Sequence, residues 1–298
     1  MSGSLGIFSK TGKEFFLNLI PLFLPKPFFR MISFPNAKIN LGLHITSKRK
    51  DGYHEIETCM VPIPLFDALE MILDKKATWN STGLTIPGDA KDNLILKAEK
   101  LLKKDFQGLP NLTIHLHKNI PMGAGLGGGS ADGAFALKLM SNLFDLHLDE
   151  FFLEEYAGQL GSDCPFFVGN TPAIARGRGE ILEPIDLSLK GVHLVLINPS
   201  IHIGTKEAYA GVTSSPPKVK LEEILADRSR WKSELVNDFE PSVFSMYPEI
   251  GEIKEKMYAS GAFYASMSGS GSSVFGLFQE KPSELSWKEE YFVFEGEL

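Results

Sequence analysis

From residue 121 to 133 the chain reads Pro-Met-Gly-Ala-Gly-Leu-Gly-Gly-Gly-Ser-Ala-Asp-Gly, with five glycines in the seven positions from Gly123 to Gly129. Glycine admits positive φ and close approach of the backbone to a ligand, and it leaves consecutive N–H groups unshielded. The alternation of Leu112-Thr-Ile-His-Leu-His117 ahead of it predicts a half-buried strand. Behind it Ala134, Phe135, Leu137, Leu139, Met140, Leu143 and Phe144 recur at helical spacing, with Ser130 expected to cap the first turn. Strand, glycine loop and helix N-terminus together form an anion site, because loop amides and helix dipole both favour negative charge. Gly123, Gly125 and Gly128 also fit the spacing of a dinucleotide fingerprint, with Asp145 at about the right distance. Asn142-Leu-Phe-Asp-Leu-His147 is, however, a poor buried strand. A Walker loop would need a lysine before its serine, and Gly129-Ser130 has none. A phosphate loop of another kind remains, with a ligand-free glycine turn as the bland alternative.

A chain of 298 residues has room for two domains, and a net charge of −7 argues against a broad nucleic-acid surface. Small-molecule partners are therefore expected. Cys59 and Cys164 are the only cysteines, which points to a reducing cytoplasm and away from a disulfide framework or structural zinc. Residues 1–30 carry an apolar run from Phe15 to Leu24 that Pro21 interrupts and Pro25 ends. The run is too short to span a bilayer and no small-residue cleavage site follows, so no stable membrane association is expected. Three accounts stand for this extension: targeting or attachment, a dispensable non-globular tail, or a start codon upstream of the real one at Met31. The expected division is 1–30 extension, 31–182 first domain and 183–298 second domain. Its hinge is expected at Arg176-Gly-Arg-Gly179, where charge and glycine break the pattern.

Along the chain, Ile39, Leu41, Leu43 and Ile45 alternate with Lys38, Asn40, Gly42 and His44, so Lys38 and Asn40 share one face of a strand. Asp51-Gly52 marks a tight reversal that delivers Tyr53 and His54 to the next strand. Asp92 or Asn93 caps an amphipathic helix reaching Leu102. His115 and His117 lie on the polar face of a strand and lack a third metal ligand. Asp163 stands on a turn between a helix and an apolar run, either to meet a substrate hydroxyl or to bond its own backbone. Thr205 to Tyr209 opens a short helix, and a single helix is expected from Pro241 to Tyr258. Met267-Ser-Gly-Ser-Gly-Ser-Ser-Val-Phe-Gly-Leu-Phe278 is a second glycine and serine loop running into a strand, and an edge strand is expected at Tyr291–Phe294.

These pieces, in this order, resemble the GHMP kinases, the superfamily of galactokinase, homoserine kinase and mevalonate kinase. Pro121 to Ser130 resembles their P-x-G-x-G-L-G-S/G-S motif, and Met267 to Phe278 their third motif. Pro35-Asn-Ala-Lys-Ile-Asn-Leu-Gly-Leu, Arg49-Lys-Asp-Gly-Tyr-His-Glu, Gly161-Ser-Asp-Cys-Pro-Phe-Phe and Asn237-Asp-Phe-Glu narrow the likeness. They resemble the branch of the non-mevalonate isoprenoid pathway whose acceptor is a cytidine diphosphate-linked methylerythritol. The resemblance implies a two-domain α/β (α+β) fold, with an N-terminal domain like domain 2 of ribosomal protein S5 and a ferredoxin-like C-terminal domain. It implies ATP and Mg²⁺, transfer to a 2-hydroxyl, and a cytoplasmic monomer or homodimer.

By the same resemblance, Pro121, Met122, Gly123, Ala124, Gly125, Leu126, Gly127, Gly128, Gly129, Ser130 and Asn93 hold the nucleotide, with Ser130 also toward Mg²⁺. Lys38 and Asp163 are catalytic, with Asp163 accepting or orienting the substrate hydroxyl. Asn40, Tyr53, His54, Gly269 and Gly271 fall on the substrate side, Tyr53 to stack on cytosine and His54 to bond its edge. Asp132-Gly133 departs from the small residues usual after the loop serine, leaving Asp132 to face solvent, cap the helix or touch metal. A homoserine or mevalonate acceptor is the alternative within the superfamily. A catalytically silent nucleotide-binding protein is the alternative outside enzymes, against which Lys38 and Asp163 together argue.

Overall fold

The computed structural model describes residues 30–283 and 285–298; most of the extension, residues 1–29, lies outside the described residues. The chain runs β1 (Arg30–Ser33), β2 (Asn36–Lys48), β3 (His54–Phe66), β4 (Ala68–Asp74), β5 (Thr78–Gly83), α1 (Leu94–Asp105) and β6 (Asn111–Lys118). It continues with α2 (Gly128–Leu143), α3 (Glu150–Leu160), α4 (Phe166–Gly169), β7 (Ala173–Gly177) and β8 (Ile181–Pro184). Beyond these come β9 (His193–Asn198), α5 (Thr205–Ala210), α6 (Leu221–Leu225), α7 (Arg228–Glu234), α8 (Glu240–Met246), α9 (Pro248–Ala259), β10 (Tyr264–Met267), β11 (Val274–Phe278) and β12 (Phe292–Glu297).

Among the described residues three four-stranded sheets result, ordered β1-β4-β6-β5, β2-β3-β7-β8 and β10-β11-β9-β12. Helices α1, α2 and α3 close the first core, where Leu137, Met140 and Ala157 meet Leu112, Ile114 and Leu116 of β6. A second core joins β2 and β3 to β9 and β11 through Ile39, Leu41, Val61, Leu194 and Phe275. Strand β2 is buried along most of its length: Ile39, Leu41, Leu43 and Ile45 enter the apolar cores, while Lys38 and Asn40 are buried beside polar partners. The third core packs α8 and α9 on β9 and β11.

Four local expectations change. Helix α2 begins at Gly128 with Gly127 as its left-handed N-cap, so Ser130 is a residue of the first turn and not the cap. Arg176 is no hinge residue: it lies in β7, paired to β3 and β8, and its guanidinium bonds Glu57 and Glu183 at 2.9 Å each and also Glu222. Residue 182 lies within β8, so the connection to β9 runs through residues 185–192. The expected helix from Pro241 to Tyr258 is two, broken at Tyr247 before Pro248. The last strand, β12, does lie at a sheet edge.

Candidate active site

The glycine loop is fixed by what its backbone touches. Gly123, Gly125 and Gly127 all take positive φ, at 63°, 77° and 69°. A Cβ on Gly125 would lie 1.9 Å from the Ser268 carbonyl oxygen, so this glycine is the point at which the second loop, 267–273, packs on the first. The Gly125 carbonyl accepts from Ser268 Oγ at 2.8 Å and from Lys38 Nζ at 3.1 Å. Asn237 anchors the second loop by donating to the Met267 and Gly269 carbonyls at 2.8 and 2.9 Å. Leu126 points into the core and contributes backbone only, its carbonyl accepting from the Lys38 amide at 2.9 Å.

Lys38 Nζ donates to Asn40 Oδ1 at 2.5 Å and stands 3.7 Å from Asp163 Oδ2. Burial lowers the Lys38 pKa from its usual value, and the Asp163 carboxylate opposes that shift. The pair brings together a cation on a strand and an acid on the turn after α3, residues 125 positions apart in the chain. Asp163 remains about a third exposed, so its carboxylate is reachable.

Two cavities meet at Asp163, and a third adjoins the second. One of about 570 Å³ is lined by Trp79, Asn93, Met122, the glycine loop, Ser130 and Asp163. The next, of about 370 Å³, shares Ser130 and Asp163 with it and adds Lys38, Asn40, Tyr209, Gly269 and Ser270. A third, of about 810 Å³, shares Tyr209 and Arg178 with the second and adds Tyr53, His54 and Lys206. Their sizes suit small organic ligands. The shared walls order them as glycine loop, Lys38–Asp163, aromatic cavity.

Most expected residues therefore line one continuous space. Gly271 does not: it belongs to the second loop but lines none of the three cavities, and a Cβ there would meet Met267 Sδ at 2.7 Å. Asn93 stands at the rim of the first cavity, but its side chain is occupied in capping α1, accepting from the Ile95 amide at 2.9 Å. His54 stacks on Tyr209 with ring centroids 4.6 Å apart, and the Arg178 guanidinium lies 5.2 Å from the Tyr53 ring centroid. Asp132 neither faces solvent nor caps α2; it is buried, accepting from Lys118 Nζ at 2.7 Å, on the wall of the first cavity. Tyr209 and Arg178 were missed as site residues. A lone tyrosine on a short helix carries no signal in sequence, and Arg178 carries only the charge of the glycine-rich stretch misread as a hinge.

Cys59 and Cys164 are free and buried, and burial pushes both thiols up to about 12. His115 and His117 each lie 3.0 Å from Thr82 Oγ1. No group of three metal-binding side chains occurs among the described residues. What the first cavity offers a hard divalent cation beside the glycine loop is the Ser130 hydroxyl with the carboxyl groups of Asp132 and Asp163. That sparse oxygen set fits Mg²⁺, which keeps waters and binds mainly through phosphate oxygens.

Residues 93–171 match the GHMP kinases N terminal domain and residues 221–286 the GHMP kinases C terminal domain. A 4-diphosphocytidyl-2-C-methyl-D-erythritol kinase from Bacteroides fragilis is 52% identical over 275 residues, covering 90% of this chain and 100% of that one. The protein of the same name from Azobacteroides pseudotrichonymphae is 53% identical over 252 residues, covering 84% and 94%. The chain belongs to the 4-diphosphocytidyl-2-C-methyl-D-erythritol kinases, within the GHMP kinases. A crystal structure of 4-(cytidine 5'-diphospho)-2C-methyl-D-erythritol kinase superposes with a TM-score of 0.72 at 34% identity, covering 83% of this chain and 90% of that one. The fold is thus the two-domain GHMP kinase fold expected from the motifs, and the enzyme is a kinase whose acceptor is an alcohol. Among the described residues no helix is long and apolar enough to cross a membrane.

Proposed function

We infer that this kinase transfers the γ-phosphoryl group of ATP to the 2-hydroxyl of 4-diphosphocytidyl-2-C-methyl-D-erythritol, a step of non-mevalonate isoprenoid synthesis, at the Lys38–Asp163 pair. The observation that carries the site assignment is the row of three cavities, with this pair on the wall between the glycine loop and the aromatic space. Phosphoryl transfer needs positioning and charge neutralisation more than covalent chemistry. Loop amides from Gly123 to Ser130 cradle the ATP phosphates, aided by the N-terminus of α2. Lys38, its ammonium steered by Asn40 and the Gly125 carbonyl, faces the group in transit. Asp163 orients the acceptor hydroxyl and takes its proton. Ser130 would help to hold Mg²⁺, which would supply further charge neutralisation. At the far end Tyr53, His54 and Tyr209 offer aromatic faces to cytosine, and Arg178, lining both acceptor cavities, faces the diphosphate between base and methylerythritol. Two buried thiols suit the reducing cytoplasm in which we place the enzyme, as a monomer or homodimer.

The test is ADP release with Mg-ATP and 4-diphosphocytidyl-2-C-methyl-D-erythritol, homoserine or mevalonate, on the native chain and on Asp163→Asn. Turnover confined to the cytidyl compound is expected. Asp163→Asn should keep ATP affinity and lose ~10²–10⁴-fold in kcat; near-normal turnover would remove Asp163 from its role.

A further inference from the structure

Both ends of the glycine loop are tied to one buried ammonium. Lys118, the last residue of β6, donates from Nζ to Asp132 Oδ2 at 2.7 Å and to Asp67 Oδ2. Asp67, between β3 and β4, accepts on its other oxygen from the amides of Asn119 and Ile120 at 2.6 and 2.9 Å, immediately ahead of the loop. Asp132 lies in the second turn of α2, immediately beyond it. Gly128, first residue of the helix, lies directly on the ammonium, for a Cβ there would be 3.0 Å from Lys118 Nζ. The three side chains are 0%, 0% and 6% exposed for Lys118, Asp67 and Asp132.

Such a group is a poor device for stability alone. A lysine with two carboxyl groups around it takes charge out of water, so that burial raises the Asp132 pKa to about 7, and well-packed apolar residues in place of buried ion pairs are often as stable or more so. An apolar trio would lack direction. Directed bonds hold the two amides entering the loop and the helix leaving it in one fixed relation. A segment with five glycines has much conformational freedom of its own, and amide donors stabilise a transferring phosphoryl group only when already aimed. We propose that Lys118, with Asp67 and Asp132 as its partners, is a positioning residue for phosphoryl transfer, clamping the two ends of the glycine loop so that its amides stay aimed at ATP, with Lys118 itself outside the ligand cavities. The inference rests on the reading that the ATP phosphates lie on this loop.

Three variants test it. Lys118→Met keeps length and removes the charge, leaving two buried carboxylates unpaired, so it should lower Tm and kcat together. Asp67→Asn/Lys118→Met/Asp132→Leu also removes those charges while keeping an acceptor for the Asn119 and Ile120 amides, and should recover Tm. In that triple variant kcat is expected to stay down by up to ~10²-fold, the scale of a misplacement of about 1 Å, with the KM for ATP raised and the KM for the acceptor unchanged. Recovery of kcat together with Tm would make the cluster merely structural and overturn the proposal. Gly129→Val separates the underlying reading: Gly129 lines the first cavity, and its Cβ would find only Met122 Cε, at 3.7 Å. Weakened ATP binding by calorimetry is expected of it. Unchanged binding would overturn the placement of phosphate on the loop, and the clamp with it.

Discussion

The two ends of the ligand space are built in opposite ways. The glycine loop is one contiguous run of chain whose conformation is dictated by what packs on it: Ser268 on Gly125, Phe167 and Lys38 on Gly127. The aromatic cavity is assembled from separate segments around residues 53–54, 178 and 206–209, and its parts are half-buried or exposed. A site made of consecutive residues is readable as a motif and intolerant of change. One gathered from distant segments leaves little trace in any single stretch and yields more gradually.

The sharpest way to break this contrast is to add one methyl group at each end. Gly125 combines φ of +77° with a Cβ position 1.9 Å from a backbone oxygen, whereas Gly52, with φ of +90° in the turn before Tyr53, has nothing within 4 Å. Left-handed backbone costs a residue with a Cβ roughly 1–2 kcal/mol by itself. Gly52→Ala should therefore lose about that much stability by chemical denaturation and keep its ADP release. Gly125→Ala must also displace the second loop, so it should lose more stability than Gly52→Ala and abolish activity. Equal losses at the two positions would erase the distinction.

The same contrast explains what could be read from the chain. The loop, β6 before it and α2 after it are adjacent in sequence, and Lys38 and Asn40 share a strand face, so alternation and spacing were enough for them. The error over Ser130 was a shift of register: Gly127, in the left-handed region, takes the capping position and α2 starts before the serine. Arg176 looked like a hinge because its neighbours are glycines, yet its partners Glu57, Glu183 and Glu222 are supplied by β3, β8 and α6. Lys118, Asp67 and Asp132 are scattered in the same way, and nothing local marks them as partners.

Tyr209 gives the next largest effect. It packs edge-on to Phe239 at 4.8 Å and stacks on His54, so its ring is held by neighbours and not by its hydroxyl. A base stacked on an aromatic side chain gains ~1–3 kcal/mol, or roughly 5–150-fold in affinity. Tyr209→Ala should raise the KM for the cytidyl acceptor by that factor and leave the KM for ATP unchanged, while Tyr209→Phe stays near native. A change in ATP KM alone would move Tyr209 to the other end of the space.

The smallest effect separates activity from stability at Lys38. Burial holds the Lys38 pKa below its usual 10.5 and Asp163 opposes this, so the ammonium loses its proton at a lower pH than an exposed lysine does. The alkaline limb of kcat/KM should accordingly lie below pH 10.5, and an alkaline limb of ATP affinity, read by calorimetry, should move lower still in Asp163→Asn because the opposing charge has gone. Stability runs the other way. Between the lowered pKa and 10.5 the unfolded chain binds the proton and the folded chain does not, so the contribution of this one group to unfolding free energy rises with pH. A native chain, compared with Lys38→Met across that window, should lose activity while its relative stability increases. Activity and relative stability that both stay level across the window would mean that the lysine keeps its proton to the top of it, and that its ion pair with Asp163, not its burial, governs the site.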